Sequence, residues 1–304
     1  MRLQVLASWL GVVALAVLPL RQASAQEALP TVLPDILFLI EDGERMGQPW
    51  DGDSNLTNPD SRWSYVRDGI IQVINNAPLS MNFGVAFTAD GQDRTYPSSG
   101  LEGTYGFEPL APIGMAKTEI VARLNAFTPS AETERTYAES YSAILKNYFS
   151  QAYSSSGSWT SGPFQYSCNQ VVVIMVGSQI ADDDAFPESG YFTLDPLPGS
   201  VQCNDYDYTP PGQACWADNV AHYAYNSFSA PLAGTGAVKT YSLLVDADSA
   251  SIDSEIAPLF QSVANFGQGL FYSTAMPSGV PIAFWNILND SFSGTYSNAA
   301  ISAS

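Results

Sequence analysis

The sequence predicts an α/β fold with a mostly parallel, doubly wound sheet and helices on both faces. Three observations carry this. Five short apolar runs, rich in β-branched residues, recur along the chain; stretches with apolar residues at helical spacing separate them; and "ILFLIEDGERM", residues 36–46, passes directly from buried-strand composition into a knot of charge. Strand and helix in alternation imply parallel strands joined by crossover helices. Such sheets bind ligands outside the carboxyl ends of their strands, where strand order reverses. The charged knot lies at one of these ends.

In chain order, strands are expected at 35–41, 82–88, 170–177, 238–246 and 269–274, several of them apolar on both faces as buried parallel strands are. Helices are expected at 61–77, 115–127, 135–153, 216–228, 252–266 and 279–292. Residues 47–60, 92–113, 154–161 and 182–213 read as long polar loops, and neither an internal repeat nor a dividing linker is visible. Residues 1–25 have the parts of a secretory leader: Arg2, an apolar stretch from Val5 to Leu20, and Ala23-Ser24-Ala25 before the cleavage point. Residues 26–304 are then expected to form a single exported domain, secreted or held at the cell surface.

The chain has 11 basic and 30 acidic residues, a net charge of −19; without Arg2 and Arg21, 9 basic residues face 30 acidic ones, a net −21. Such a surface repels nucleic acid and anionic headgroups, which excludes nucleic-acid function, and no segment after the leader is long and apolar enough to span a bilayer, so no membrane insertion is expected after cleavage. Three cysteines enter a disulfide-permissive compartment. Cys203 and Cys215 bracket the irregular "NDYDYTPPGQA" and are expected to be bridged, leaving Cys168 free and buried at the start of its strand; a Cys168–Cys203 pairing is the alternative. One histidine, His222, and no Cys-x-x-Cys pair argue against zinc. His222 lies mid-helix, where packing is the expected role, and neither a nucleophile elbow nor a phosphate loop is present, so no enzyme is expected.

"ILFLIEDGERM" resembles the opening of a von Willebrand factor A domain, where a buried strand ends in Asp-x-Ser-x-Ser; "SRWSYVRDGI" and "MNFGVAF" are similar to that fold's first helix and second strand. "RTYAESYSAILKNYF" followed by "GPFQYSCNQVVVIMV" resembles a narrower group, the PilC/PilY-type tip adhesins of type IV pili, and the likeness runs over about residues 33–295. It implies a von Willebrand A-like fold, adhesion through protein contacts, and minor pilins or a surface receptor as partners. Full members of that group carry a C-terminal β-propeller, which this sequence does not contain.

The resemblance also implies a metal-ion-dependent adhesion site, whose oxygen ligands suit Mg²⁺ or Mn²⁺. Carried over position by position, that site is degenerate. Its first aspartate is Glu41, its two serines are Gly43 and Arg45, its second-loop threonine is kept as Thr136, and its third-loop aspartate falls on Ser178, or on Gly177 if the register slips by one. No metal is therefore expected there. Arg45 either stands in for the ion by pairing with Glu41 and bonding Thr136, or points to solvent. Two weaker cation candidates are Asp182, Asp183 and Asp184, and a calcium-loop-like run with Asp51, Asp53 and Asn55 whose twelfth position is Arg62 instead of a glutamate.

Overall fold

β1, Asp35–Ile40, is buried along its whole length and lies at the centre of the sheet. The computed structural model describes residues 33–50, 60–88, 107–129, 137–156, 158–178, 202–203, 213–214, 216–245 and 256–302, which fall within one compact unit, Val32–Ser304. After β1 come α1 (Glu44–Gly47), α2 (Arg62–Asn76), β2 (Phe83–Phe87), β3 (Glu108–Ala111), α3 (Lys117–Ala126) and α4 (Tyr137–Ile144). α4 continues as a π-helical turn, Leu145–Phe149. Then follow β4 (Val171–Gly177), β5 (Gln202–Cys203), β6 (Gln213–Ala214), α5 (Trp216–Asn226), β7 (Val238–Val245), α6 (Ile256–Phe266), β8 (Gln268–Thr274) and α7 (Gly279–Ser302).

Six strands form one sheet in the order β3-β2-β1-β4-β7-β8, with every pairing parallel except β2 with β3. From β1 the chain winds outward through β2 to β3, then returns and winds the other way through β4, β7 and β8. The reversal lies between β1 and β4, so the crevice at their carboxyl ends is the switch point.

Alternation along the central strands divides the core. Leu37 and Leu39 of β1 join Val171, Val173 and Met175 of β4 under α4, α5 and α6; Ile36, Phe38 and Ile40 join Val172, Ile174 and Val176 under α2, α3 and α7. α2 shows how sequence enforces this. Ser61 caps it, its hydroxyl accepting the Ser64 N–H at 3.1 Å, and Trp63, Val66, Ile70, Val73 and Ile74 form one fully buried stripe. Each large apolar side chain removed from water in this way is worth about 1.5–3 kcal/mol.

Three departures from the sequence reading follow from local chemistry. β3 lies within the span read as a loop: four residues including Pro109 leave no detectable period, yet the segment pairs antiparallel on the β2 edge. β5 and β6, two residues each, pair Gln202 with Ala214 and Cys203 with Gln213 inside the span read as a long loop. Cys168 is a free thiol, as expected, but an exposed one rather than buried, because it sits in the turn before β4 and not in the strand. The leader, Cys215 and the Cys203 side chain lie outside what is described.

Candidate functional site

Glu41 follows directly on β1 and has no solvent exposure. Its N–H donates to the Val176 carbonyl at 2.8 Å, which extends the β1–β4 ladder by one step and fixes the backbone at the switch point. Carboxylate oxygen Oε2 accepts three hydrogen bonds: from the Ser178 N–H at 2.6 Å, the Ser178 hydroxyl at 3.2 Å and the Tyr137 hydroxyl at 3.1 Å. Three segments are thereby tied to one oxygen: the end of β1, the end of β4 and the first turn of α4.

Tyr137 is fully buried, its ring edge-on to Phe260 of α6 with centroids 5.7 Å apart. Gly177 makes room for it. A Cβ at that position would lie 1.8 Å from the Tyr137 hydroxyl oxygen and 2.9 Å from the Phe260 ring. Of the two registers the sequence left open, Ser178 is therefore the residue on Glu41, and Gly177 is the gap through which Tyr137 reaches it.

The first loop is braced separately. The Asp42 N–H donates to Thr88 Oγ1 at 3.0 Å, and the Thr88 N–H donates to the Ile40 carbonyl at 2.8 Å, joining the loop to the end of β2. Gly43 precedes α1 in extended conformation and is buried; Arg45, in α1, is half-buried. The Arg45 carbonyl accepts from the guanidinium of Arg62 at 2.9 Å, and the Gln48 carbonyl accepts from the same nitrogen at 3.3 Å. Arg62, the residue where a calcium loop would place its glutamate, is thus a buried strut between α1 and α2.

These groups match a divalent-cation site poorly: Glu41 Oε2 already holds three donors, Ser178 offers a neutral hydroxyl in place of an aspartate carboxylate, and Gly43 has no side-chain oxygen. Among the described residues no cluster of three His, Cys, Asp or Glu is placed to hold a metal. Thr136, Asp51, Asp53, Asn55, Asp182, Asp183 and Asp184 lie outside the described residues.

Sequence reasoning placed Glu41 and Ser178 but missed Tyr137. A tyrosine at helical spacing reads as packing, and only its position directly after Thr136 marked it. His222 is half-buried and edge-on to Phe266, centroids 5.9 Å apart, as a packing residue is.

A second buried carboxyl, Asp35, occupies the opposite end of β1. It accepts from Asn82 Nδ2 at 2.9 Å and Asn169 Nδ2 at 3.5 Å, and burial pushes its pKa up to about 7 against the lowering effect of the Asn82 bond. Asn169 Oδ1 in turn accepts the N–H groups of Gln165 and Tyr166 at 3.0 and 2.6 Å. The "PFQYSC" segment is therefore a turn closed by Asn169, which also reaches β1. On the sheet's α4 face, Tyr141 and Thr240 share a 2.6 Å hydroxyl contact, and burial raises the Tyr141 pKa.

No protein-family model and no curated protein matches the sequence. Solved structures do. The pilus adhesin SpaC from Lactobacillus rhamnosus GG superposes with a TM-score of 0.51 at 13% identity over 87% of this chain and 31% of that one. A D319A mutant of the PilB minor pilin from Streptococcus sanguinis gives 0.50 at 11% identity over 89% of this chain and 64% of that one. A von Willebrand factor type A protein from Catenulispora acidiphila gives 0.47 at 8% identity over 86% and 43%. The chain thus spans less than two thirds of each of these structures. What the sheet order and the likenesses to SpaC and PilB show is the fold alone, a doubly wound, mostly parallel α/β domain.

Proposed function

We propose that this chain is an exported protein-binding module of the adhesion type, working at a type IV pilus tip or cell surface, whose switch-point site operates without a metal ion. The observation that carries the metal-free reading is the Glu41 carboxylate, held by Ser178 and Tyr137 of the same chain. Adhesion is supported by the fold shared with SpaC and PilB, described as a pilus adhesin and a minor pilin, and by the sequence resemblance to tip adhesins. From the sequence, the partner surface is assigned to the tyrosine-bearing segments 96–107 and 191–208, with minor pilins or a surface receptor as occupants. In this reading the chain catalyses nothing.

The test is calorimetric titration of the purified protein with Mg²⁺, Mn²⁺ and Ca²⁺, beside surface-attachment assays with and without EDTA. The expected result is no binding heat and attachment unchanged by EDTA. Micromolar binding that disappears in Glu41→Ala would return the protein to the metal-dependent adhesins. Binding that survives Glu41→Ala but is lost when Asp182, Asp183 and Asp184 are replaced would place a rebuilt site there.

A further inference from the structure

The two edges of the sheet are built differently. β3 closes one edge with Pro109, which has no N–H to offer, and Pro112 directly follows the strand. β8 closes the other edge with Gln268-Gly269-Leu270-Phe271-Tyr272-Ser273-Thr274, without a charge or a proline. Soluble proteins blunt exposed edges with lysine, proline, bulges or very short strands. β8 uses only a bulge: Thr240 pairs with Gln268 and Ser242 with Phe271, so Gly269 and Leu270 stand opposite Tyr241 alone. Beyond it Phe271–Thr274 run in regular register against Ser242–Val245, and among the described residues no further strand lies on their outer side.

Apolar surface surrounds this open edge. Leu270 is 46% exposed, and Met276 and Ile282, on the turn and helix that follow, are 67% and 61% exposed. Phe271 and Tyr272 are half-buried against the cores on opposite faces of the sheet, so a strand laid beside them meets apolar side chains on both sides.

We infer that β8 is a docking edge for strand addition by another protein. Its occupant is an extended segment, apolar or hydroxylic over about four residues and flanked by bases. Charge selects this occupant over a second copy. Two exported copies joined edge to edge would bring together bodies with 9 basic and 30 acidic residues each, a net −21, across a strand that offers no base, whereas a base-flanked strand is drawn to the same field. The edge is separate from the switch-point site, so this inference does not depend on the metal-free reading.

The test is hydrogen exchange on the whole exported protein at physiological ionic strength, with short synthetic peptides of alternating valine and threonine ending in lysine or in glutamate. The lysine-ended peptide should slow exchange of the Phe271–Thr274 amides by roughly tenfold, and the glutamate-ended one should do less. Leu270→Lys/Ser273→Lys should abolish the protection, and Ser273→Lys alone, at an exposed position, should weaken it without altering the thermal melt. Protection confined to segments other than β8, or none with any peptide of the series, overturns the inference. A dimer in sedimentation that Ser273→Lys dissolves also overturns it, since the occupant would then be a second copy.

Discussion

The Ser178 N–H lies 2.6 Å from Glu41 Oε2, a backbone donor aimed at a buried carboxylate across the point where the order of strands reverses. Together with the Ser178 and Tyr137 hydroxyls it makes Glu41 a structural anchor. Glu41→Ala should leave these donors without their acceptor and lower unfolding free energy by about 1–3 kcal/mol. Glu41→Asp, one methylene shorter, should lose stability too and gain no Mg²⁺ affinity. Urea denaturation read by tryptophan fluorescence measures the first, and calorimetry the second.

Gly177 and Tyr137 form a pair that steric arithmetic makes testable. A Cβ 1.8 Å from the Tyr137 hydroxyl oxygen forces the ring to move, so Gly177→Ala should cost about 1–3 kcal/mol. Tyr137→Phe alone should cost less, by loss of one hydrogen bond. Combined, the two changes should cost less than their sum, with a coupling of about 0.5–3 kcal/mol. A double-mutant cycle that comes out additive would show that the clash is relieved elsewhere.

Asp35 gives the fold a pH dependence of known sign. Burial holds its folded pKa at about 7, above its ordinary value of 3.8, so between these pH values the folded protein binds more protons than the unfolded chain. Its contribution is fully present below 3.8, falls as pH rises and is lost above about 7. Asp35→Asn removes this dependence, so the variant should gain a few kcal/mol on the parent between pH 4.5 and pH 8. Paired denaturation curves at the two pH values are the check, and a stability difference independent of pH would contradict the assignment.

Arg62 should behave as a strut. Arg62→Ala removes the donors on the Arg45 and Gln48 carbonyls and should cost about 1–3 kcal/mol. It should also speed amide exchange within α1 while leaving the central strands protected.

Most of the sheet was legible because β1, β2, β4 and β7 are buried on both faces, and double burial forces apolar runs that need no context to read. β3 escaped because an edge strand of four residues tolerates proline and shows no alternation. At the site, Glu41 and Ser178 were legible only through register against a known motif, since neither residue type by itself signals chemistry. Tyr137 was marked only by its place directly after Thr136: its role depends on the missing side chain at Gly177, forty residues later, and no local pattern encodes such a gap. Cys168 was misplaced for a similar reason, because a turn closed by a side chain, here Asn169, looks like the start of the strand it precedes.

Where loops are gathered around a bound ion, their cohesion is an equilibrium that rises and falls with the ion's activity outside. Here the three donors on Glu41 belong to the same polypeptide, so the arrangement is intramolecular and carries no concentration term. The crevice should hold the same shape in a chelating medium as in an ion-rich one. On the metal-free reading proposed above, control over what this protein binds would pass from the supply of cations to the supply of partners.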